Sequence, residues 1–333
     1  MQDVPVWENP TPEIFRSVIA PLARPALLRG IARDWPLVKL ARQSDAACMA
    51  ALIQFASDTP IDVVRTDPEN EGRFHYSDDL HGVNFARAKA SLPAFLHALG
   101  EEAKQDRPHA MSAQGVLARE AVPDFAASHP MPYAPQGADA RMWIGNAAKV
   151  ASHNDPSDNI AVCAAGRRRF TLFPPDQIGN LYIGPLHFTP AGTPISMVHV
   201  TKPDLARYPR FAEALSKAWM AALEPGDALF IPYAWYHHVE ALEAFNILVN
   251  YWWNDARDDL GSPWDAMLHG MMSLRSLPAD QRAAWRAMFD HYVFLTGGDP
   301  ATHLPPHAHG VLGATSTDDI AAMREQLKAL FAQ

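Results

Sequence analysis

The chain has 333 residues, of which 48% are hydrophobic and 20% are charged, and its formal net charge is -9. These values are typical of a folded globular protein and exclude a disordered or collagen-like chain. The acidic balance disfavours a nucleic-acid partner, because binding to a phosphate backbone normally requires a basic surface.

Two further features concern the compartment. No stretch approaches the about 18 apolar residues needed to cross a bilayer, and the amino terminus lacks a basic start and an apolar run, so we expect no membrane partner. Cys48 and Cys163 are isolated from each other and fit no metal or redox spacing. Two buried thiols in a reducing compartment are the natural interpretation, and we therefore expect a cytoplasmic protein.

The first third of the chain mixes helical and strand-like patterns. The predicted helices are 11–20, 43–57 and 92–99, and the predicted strands are 25–30, 61–65 and 74–76. Ser91 stands directly before the third helix as a predicted N-terminal cap. These elements predict an α/β elaboration in front of the main domain.

Residues 141–255 change to short strands separated by turns. The strands are MWIG, NIAVCAAG, RRFTLFPP, DALFIPY, HHVEAL and FNILVNYWW. Gly166 and the segment Pro225-Gly226-Asp227 are predicted tight turns between them. This density of strands predicts an antiparallel barrel or sandwich, so the expected fold class is mainly β with helical additions.

The last part of the chain is predicted to be helical over 263–293 and 316–332, with apolar residues at i, i+3 and i+4. These apolar faces need a partner, and either packing onto the barrel or a homodimer interface would supply one. The expected organisation is a domain over 1–262 and a helical region over 263–333.

The segment His153-Asn154-Asp155 is the strongest chemical signal. Side chains at i and i+2 of a strand point the same way, so His153 and Asp155 can enter a barrel interior together. A distant histidine would complete the two-His-one-carboxylate set that holds Fe(II) and leaves positions open for substrate and oxygen. The short pattern is weak alone, because a second His-x-acid sequence begins at His238.

His237 and His238 are both candidates for the third ligand. Adjacent residues of a strand face opposite sides, so only one of the two can bind. The register that points His237 inward is expected to expose Glu240.

Polar residues also occur where a hydrophobic core is expected. Asn246 and Asn250 share one strand face with Leu248 and Trp252. Buried amides are costly unless they meet polar partners, and an interior ligand would supply them.

Arg168 shares a strand face with Phe170. A buried arginine normally binds a carboxylate or phosphate through two hydrogen bonds. The alternative is a surface arginine at a strand end, beside Arg167 and Arg169.

Several linked segments carry a family resemblance. They are PALLRGIARDWP, WIG, HNDPSDNIAVCAAGRRRFTLFPP, LYIGPL with TPAGTPISMV, LEPGDALFIPYAWYHHVEAL and FNILVNYWW. Together they resemble the cupin-like jumonji C (JmjC) family of Fe(II)- and 2-oxoglutarate-dependent oxygenases, most closely its bacterial branch. The resemblance implies a double-stranded β-helix (jelly-roll) barrel plus C-terminal helices.

The resemblance also implies roles for individual residues. The iron ligands would be His153, Asp155 and His237, with the first histidine of the adjacent pair as the family's choice. The 2-oxoglutarate pocket would be lined by Asn159, Arg168 and Asn250. Tyr76 and Trp252 would lie near the substrate, and the expected aromatic wall of the cavity is Trp143, Trp235, Tyr236, Trp252 and Trp253.

Two positions depart from the family pattern. Arg168 stands where the family usually has a lysine that grips the distal carboxylate of 2-oxoglutarate, and Val150 stands where relatives have a threonine. Arginine can hold a carboxylate by a two-pronged contact, but its head is longer and planar. The pose of the co-substrate therefore stays open at this point.

The predicted function is an Fe(II)- and 2-oxoglutarate-dependent dioxygenase that hydroxylates a protein or peptide side chain, or a small molecule, with release of succinate and CO2. The alternatives are a cupin with another metal-dependent chemistry and a non-catalytic peptide-binding module. His303, His307 and His309 are interpreted as loop residues, because two prolines make their segment irregular.

Overall fold

Strands supply the framework of residues 1–190, 192–313 and 316–331, which the computed structural model describes. These strands are β1 (Gln2–Asp3), β2 (Val6–Glu8), β3 (Ala26–Arg29), β4 (Pro60–Thr66), β5 (Arg73–Phe74), β6 (Phe85–Ser91), β7 (Ala110–Leu117), β8 (Ala140–Gly145), β9 (Ala148–His153), β10 (Asp158–Ala165), β11 (Arg168–Phe173), β12 (Trp219–Leu223), β13 (Ala228–Ile231), β14 (Tyr236–Ala241) and β15 (Asn246–Trp253).

The strands form two sheets. The smaller sheet has the order β1-β12-β11-β14-β9-β5, and the larger has the order β2-β3-β13-β10-β15-β8-β7-β4-β6. Strands β8 to β15 give the inner orders β12-β11-β14-β9 and β13-β10-β15-β8, which is the strand arrangement of an eight-stranded jelly roll. The predicted fold class, mainly β with helical additions around a jelly-roll barrel, is confirmed.

The larger sheet is covered on both faces, which explains the continuous apolar run of β10. Ile160 and Val162 pack into a core that also contains Phe95 and Leu96 of the helical layer. The alternate residue Ala161 belongs to a second core, which it shares with residues of the smaller sheet. A strand buried on both faces reads as uninterrupted hydrophobic sequence.

Helices of the same unit flank the barrel. They are α1 (Pro12–Ile14), α2 (Pro36–Ala41), α3 (Asp45–Phe55), α4 (Leu92–Glu102), α5 (Ala118–Ala121), α6 (Phe125–Ser128) and α7 (Phe211–Lys217). The Ser91 hydroxyl accepts a hydrogen bond from the Ala94 N–H, as predicted for the cap of α4. The first turn of α2 is capped by a residue that is remote in sequence, because the Leu37 N–H donates to Nε2 of His129 at 3.2 Å.

Strands β6 and β7 were absent from the sequence prediction. They extend the larger sheet through β4, which pairs with both of them. The side chains of β6 are mostly exposed, and the apolar residues that alternate along FARAKAS are alanines, which are poor strand formers and give a weak strand signal.

Two tight turns were predicted correctly. Gly166 adopts φ +68° between β10 and β11, and Gly226 adopts φ +101° before β13. The buried carboxylate of Asp227 accepts hydrogen bonds from Arg29 at 2.6 Å and from the Gly30 N–H at 2.9 Å. This contact ties the amino-terminal strands to the barrel.

The chain divides into two compact units, Met1–Asn254 and a second unit from Asp255 onward. The second unit contains α8 (Pro263–Leu274), α9 (Ala279–Tyr292) and α10 (Thr317–Phe331). The predicted helical stretch over 263–293 consists of α8 and α9, which are separated before Pro278, where the helical hydrogen-bond ladder cannot continue. Residue 332 of the last predicted helix lies outside the described residues.

Within the described ranges, no helix has the length and apolarity that a bilayer span requires.

Candidate metal centre

The three predicted ligands meet where β9 and β14 run side by side. His153 is the last residue of β9 and is the direct register partner of His237 on β14. Asp155 follows just after the strand rather than within it, and its carbonyl accepts the Ala234 N–H at 3.1 Å. Asp155 is therefore positioned by a backbone contact to the segment that leads into β14.

Distances within this group suit one metal ion. One ligand atom from each of His153, Asp155 and His237 lies within 4.8 Å of the other two. His237 Nε2 and Asp155 Oδ2 are 3.7 Å apart, and the two imidazole centroids are 4.3 Å apart. Two imidazoles and one carboxylate form the donor set of the facial triad that favours Fe(II).

Hydrogen bonds orient both imidazoles. Nδ1 of His153 donates to the Ala151 carbonyl at 2.9 Å, and Nδ1 of His237 donates to the Trp235 carbonyl at 3.1 Å. Because each Nδ1 is engaged in this way, each Nε2 is left to face the centre of the group.

Burial, reinforced by the neighbouring His153, lowers the pKa of His237 to about 4. His237 is therefore neutral near pH 7, and its Nε2 carries a lone pair rather than a proton. Nε2 of His237 and Oδ2 of Asp155 are 3.7 Å apart, and each turns an electron pair toward the other. A cation between them would satisfy both groups, so the residues fit a metal ion.

The structure distinguishes between the two adjacent histidines. His237 lines the cavity with His153, whereas His238 lines a separate pocket on the opposite face of β14. The expectation that Glu240 is exposed is wrong. Glu240 is 6% exposed, and its carboxylate accepts two hydrogen bonds from Arg169, at 2.7 and 2.9 Å.

The metal group opens into a cavity of about 110 Å³ between the two sheets. Asn159, Arg168 and Asn250 all line it, and their contact with 2-oxoglutarate stays a prediction. Asn250 Nδ2 donates to Asn159 Oδ1 at 2.9 Å, so the two buried amides form a pair. Val150 also lines this cavity.

Arg168 carries a positive charge into this cavity. Its side chain is 7% exposed, and its one hydrogen bond among the described residues is a long one from Nη2 to the Trp143 carbonyl, at 3.4 Å. Burial lowers the pKa of Arg168 to about 10, so the guanidinium is still charged near pH 7. A buried charge without a counterion is costly, and a carboxylate of a bound ligand would neutralise it.

Other polar atoms in the cavity also lack partners. Within the described part of the chain, Asn250 Oδ1, Trp252 Nε1 and Thr193 Oγ1 make no hydrogen bond. Buried polar groups are normally satisfied, so these atoms indicate a ligand or ordered water in the cavity.

The predicted aromatic wall is only partly correct. Trp143 and Trp252 line the cavity. Trp235 instead packs against Trp219, Trp253 stacks on Phe230, and Tyr236 lies in a third core on the outer side of the smaller sheet. Trp235 shares its strand face with His237 but lies just before β14, where the alternation of faces no longer determines its contacts.

Tyr76 does not line the cavity. It is buried, and its hydroxyl donates to the carbonyls of Phe188 and Pro185, at 3.0 and 3.2 Å. Phe74, two residues earlier, lines the cavity instead. Tyr76 therefore anchors the segment around residue 185.

Sequence reasoning missed Ser112 and Gln114 of β7, which both line the cavity. The register of β7 against β8 shifts between Ala113 and Val116, and Gly115 there adopts φ +56°. Such a bulge changes the direction of a side chain, and a glycine inside an apolar strand is the signal that could have revealed it.

The loop histidines His303, His307 and His309 are not part of the group that could hold a metal. They lie among turns of the second unit, and His309 Nε2 is 3.0 Å from the Leu304 carbonyl.

Comparison with known proteins agrees with this geometry. The family described as "Cupin-like domain" matches residues 11–259. A similar protein is the tRNA wybutosine-synthesizing protein 5 of Danio rerio, 26% identical over 269 residues that cover 75% of this chain and 75% of the relative. The HSPB1-associated protein 1 homolog of Danio rerio is 27% identical over 272 residues, 75% of this chain and 56% of the relative. The lysine-specific demethylase JMJ31 of Arabidopsis thaliana is 34% identical over 112 residues, 33% of this chain and 20% of the relative.

Proposed function

Because this chain belongs to the cupin-like domain family, we propose that it is an Fe(II)- and 2-oxoglutarate-dependent dioxygenase. It hydroxylates a protein or peptide side chain, or a small molecule, with release of succinate and CO2. The observation that carries the proposal is the meeting of His153, Asp155 and His237 in one cavity with the buried guanidinium of Arg168. The resemblance to jumonji C proteins is confirmed, whereas the bacterial branch stays a prediction.

The chain's own residues hold the metal and shield the reaction. His153, Asp155 and His237 would hold the metal, and their Nδ1 hydrogen bonds keep both imidazoles in the ligating orientation. When bound, Fe(II) together with 2-oxoglutarate and dioxygen supplies the oxidising chemistry that hydroxylates the substrate. The sheets around the cavity exclude competing reactions with water.

Arg168 lies at a suitable distance to hold the far end of 2-oxoglutarate. Along β11, Leu172 is the register partner of His237, and Arg168 is the partner of Ala241. Four residues of strand separate the two positions, which is about 13 Å between Cα atoms. The long arginine side chain and a five-carbon dicarboxylate together span this gap. The Asn159–Asn250 pair supports the middle of the ligand.

A protein or peptide side chain is the substrate class that we favour, with a small molecule as second choice. The name of one relative refers to lysine demethylation and that of another to tRNA wybutosine synthesis. Proteins or peptides, small molecules and tRNA are therefore the three classes of substrate to test. Hydroxylation of tRNA alone would contradict the class that we favour.

Succinate formation tests the proposed activity. Fe(II)-loaded protein is expected to convert 2-oxoglutarate to succinate under air, and His153→Ala is expected to lose this turnover. His309→Ala, a loop histidine outside the metal group, is the matched control and is expected to keep it. Equal turnover by His153→Ala and the unchanged protein would reject the proposal.

The same assay separates the alternatives. A metal site with no response to 2-oxoglutarate would favour a cupin of another chemistry. A protein that binds Fe(II) under anaerobic conditions, but converts no 2-oxoglutarate to succinate under air, would favour a peptide-binding module.

We further propose that α8 and α9 form a homodimer interface. Met267, Val293 and Phe294 line one groove of this unit and are 42%, 58% and 65% exposed, and large exposed apolar residues close together indicate an interaction surface. Light scattering after gel filtration is expected to give a dimer, and Phe294→Ser is expected to shift it toward the monomer. The proposal is refuted if the protein without substitutions is a monomer.

The cytoplasmic location and the domain boundary at residue 262 stay predictions.

A further inference from the structure

A second pocket lies on the opposite face of β9 and β14 from the metal centre. Basic side chains line it, and we call it the basic pocket: Arg73, His75, Lys149, His199 and His238. Its interior volume is about 10 Å³, which is room for a single water-sized group. The side chain of Lys149 is 26% exposed, so solvent reaches the rim of the basic pocket.

The sheet register places two cations side by side in the basic pocket. Strand β5 pairs in parallel with β9, and Arg73 is the direct partner of Lys149. Like charges directly opposite each other on neighbouring strands destabilise a sheet. An anion that contacts both cations would stabilise this arrangement.

Two carboxylates near these cations are already engaged, and a third, Asp78, acts on Arg73 only from beyond 4 Å. Glu71 lies 3.9 Å from Lys149 Nζ, but it also accepts hydrogen bonds from Lys202, the shorter at 2.8 Å. Glu240 is held by both prongs of Arg169. Across the described ranges, the guanidinium of Arg73 has no hydrogen bond and no ion pair within 4 Å, and burial lowers its pKa.

The histidines of the basic pocket can supply hydrogen-bond donors. Nδ1 of His199 accepts the Lys202 N–H at 3.0 Å, so the proton of the neutral ring lies on Nε2. His238 is 4% exposed, and neither of its ring nitrogens makes a hydrogen bond of ordinary geometry to the described residues. His75 is also buried and contacts the Ser196 carbonyl at 3.2 Å. His238 thus has only a weak contact to the Val150 backbone, and Arg73 has no ion pair within 4 Å, so a ligand that accepts hydrogen bonds would satisfy both groups.

We propose that the basic pocket binds a small oxyanion, the phosphate or carboxylate group of a small molecule. One oxygen of this group occupies the interior beside His238, and the remaining oxygens meet Arg73, Lys149 and Nε2 of His199 at the rim. The site is independent of the metal chemistry, because it faces away from the cavity that holds His237 and Arg168.

Anion-dependent thermal stability and calorimetric titration test this proposal on the full chain. Inorganic phosphate, and acetate as the carboxylate probe, are each compared with sodium chloride at the same ionic strength, which removes the effect of screening. Phosphate also stabilises folded proteins without binding, so binding is judged from a saturable heat in the titration and not from the rise in Tm alone. We expect saturable binding of at least one of the two probes. The probe that binds identifies phosphate or carboxylate as the natural group.

Variants locate the site. Arg73→Gln and Lys149→Gln are each expected to weaken binding by about tenfold or more, equivalent to about 1.4 kcal/mol. Lys89→Gln is the matched control, because Lys89 is an exposed lysine outside the basic pocket. Arg168→Met and His153→Ala are expected to keep full anion binding, so loss of the proposed oxygenase activity leaves this result unaffected.

Three outcomes would overturn the proposal. The first is a response to both probes no larger than that to chloride, which would mean that water alone fills the pocket. The second is unchanged affinity in both Arg73→Gln and Lys149→Gln. The third is loss of binding in Arg168→Met, which would place the anion in the metal cavity.

Discussion

Replacing Arg168 by methionine should change stability and ligand affinity in opposite directions. Burial lowers the pKa of the guanidinium to about 10, and this corresponds to an electrostatic cost of about 3 kcal/mol in the ligand-free protein. Methionine removes that cost but loses the hydrogen bond to the Trp143 carbonyl, which contributes about 1 kcal/mol. Ligand-free Arg168→Met is therefore expected to be more stable by about 2 kcal/mol.

The same substitution should weaken 2-oxoglutarate binding. Removal of one partner from a buried charge pair costs about 2–5 kcal/mol, which is about 30-fold to a few thousand-fold in Kd. Urea unfolding of the metal-free protein measures the first effect. Anaerobic calorimetry of 2-oxoglutarate binding to the Mn(II)-loaded protein measures the second.

Arg168→Lys is the matched control for this experiment. It keeps a positive charge at the position where the family usually has lysine, so we expect 2-oxoglutarate affinity within about tenfold of the unchanged protein. The reasoning is refuted if Arg168→Met is strongly destabilised while its affinity for 2-oxoglutarate is unchanged, because the guanidinium would then be a structural group.

Two further predictions concern the fold. Burial lowers the pKa of His129, whose Nε2 accepts the Leu37 N–H, so the stability that it contributes is present above its ordinary value of 6.5 and is lost as pH falls below it. His129→Gln should reduce the loss of unfolding free energy between about pH 7.5 and about pH 5, and an unchanged pH profile would contradict this. Gly166→Ala should lower the free energy of unfolding by about 2 kcal/mol or more, because φ is +68° and a Cβ would lie 2.5 Å from the Phe245 carbonyl. Gly100→Ala, with open space around its Cβ, should instead raise it by up to about 1 kcal/mol, and equal effects of the two substitutions would disprove the steric argument.

The barrel could be predicted from sequence because its strands are long, apolar and separated by clear turns. The alternation of β14 and β15 correctly placed His237 and Asn250 at one cavity. Adjacent side chains on a strand must diverge, so the outward position of His238 followed once His237 was assigned. The metal group and its polar surroundings were therefore accessible from periodicity together with family resemblance.

Other features depend on contacts between distant segments, which periodicity does not report. Gln114 lines the cavity together with Ser112 from β7, a strand that the apolar pattern did not reveal. Glu240 is buried because Arg169 of the neighbouring strand neutralises it. Tyr76 is turned away from the cavity by carbonyls more than a hundred residues later in the chain.

The ion pair between Arg29 and Asp227 affects folding during translation. The two residues are 198 positions apart, and β1 and β3 pair with strands β12 and β13. At about 5–20 residues per second, a ribosome needs about 10–40 s to synthesise the intervening chain. For that interval β1 and β3 lack their partners β12 and β13 and present open edges. A nascent-chain chaperone is therefore expected to associate with the first thirty or so residues until the barrel emerges.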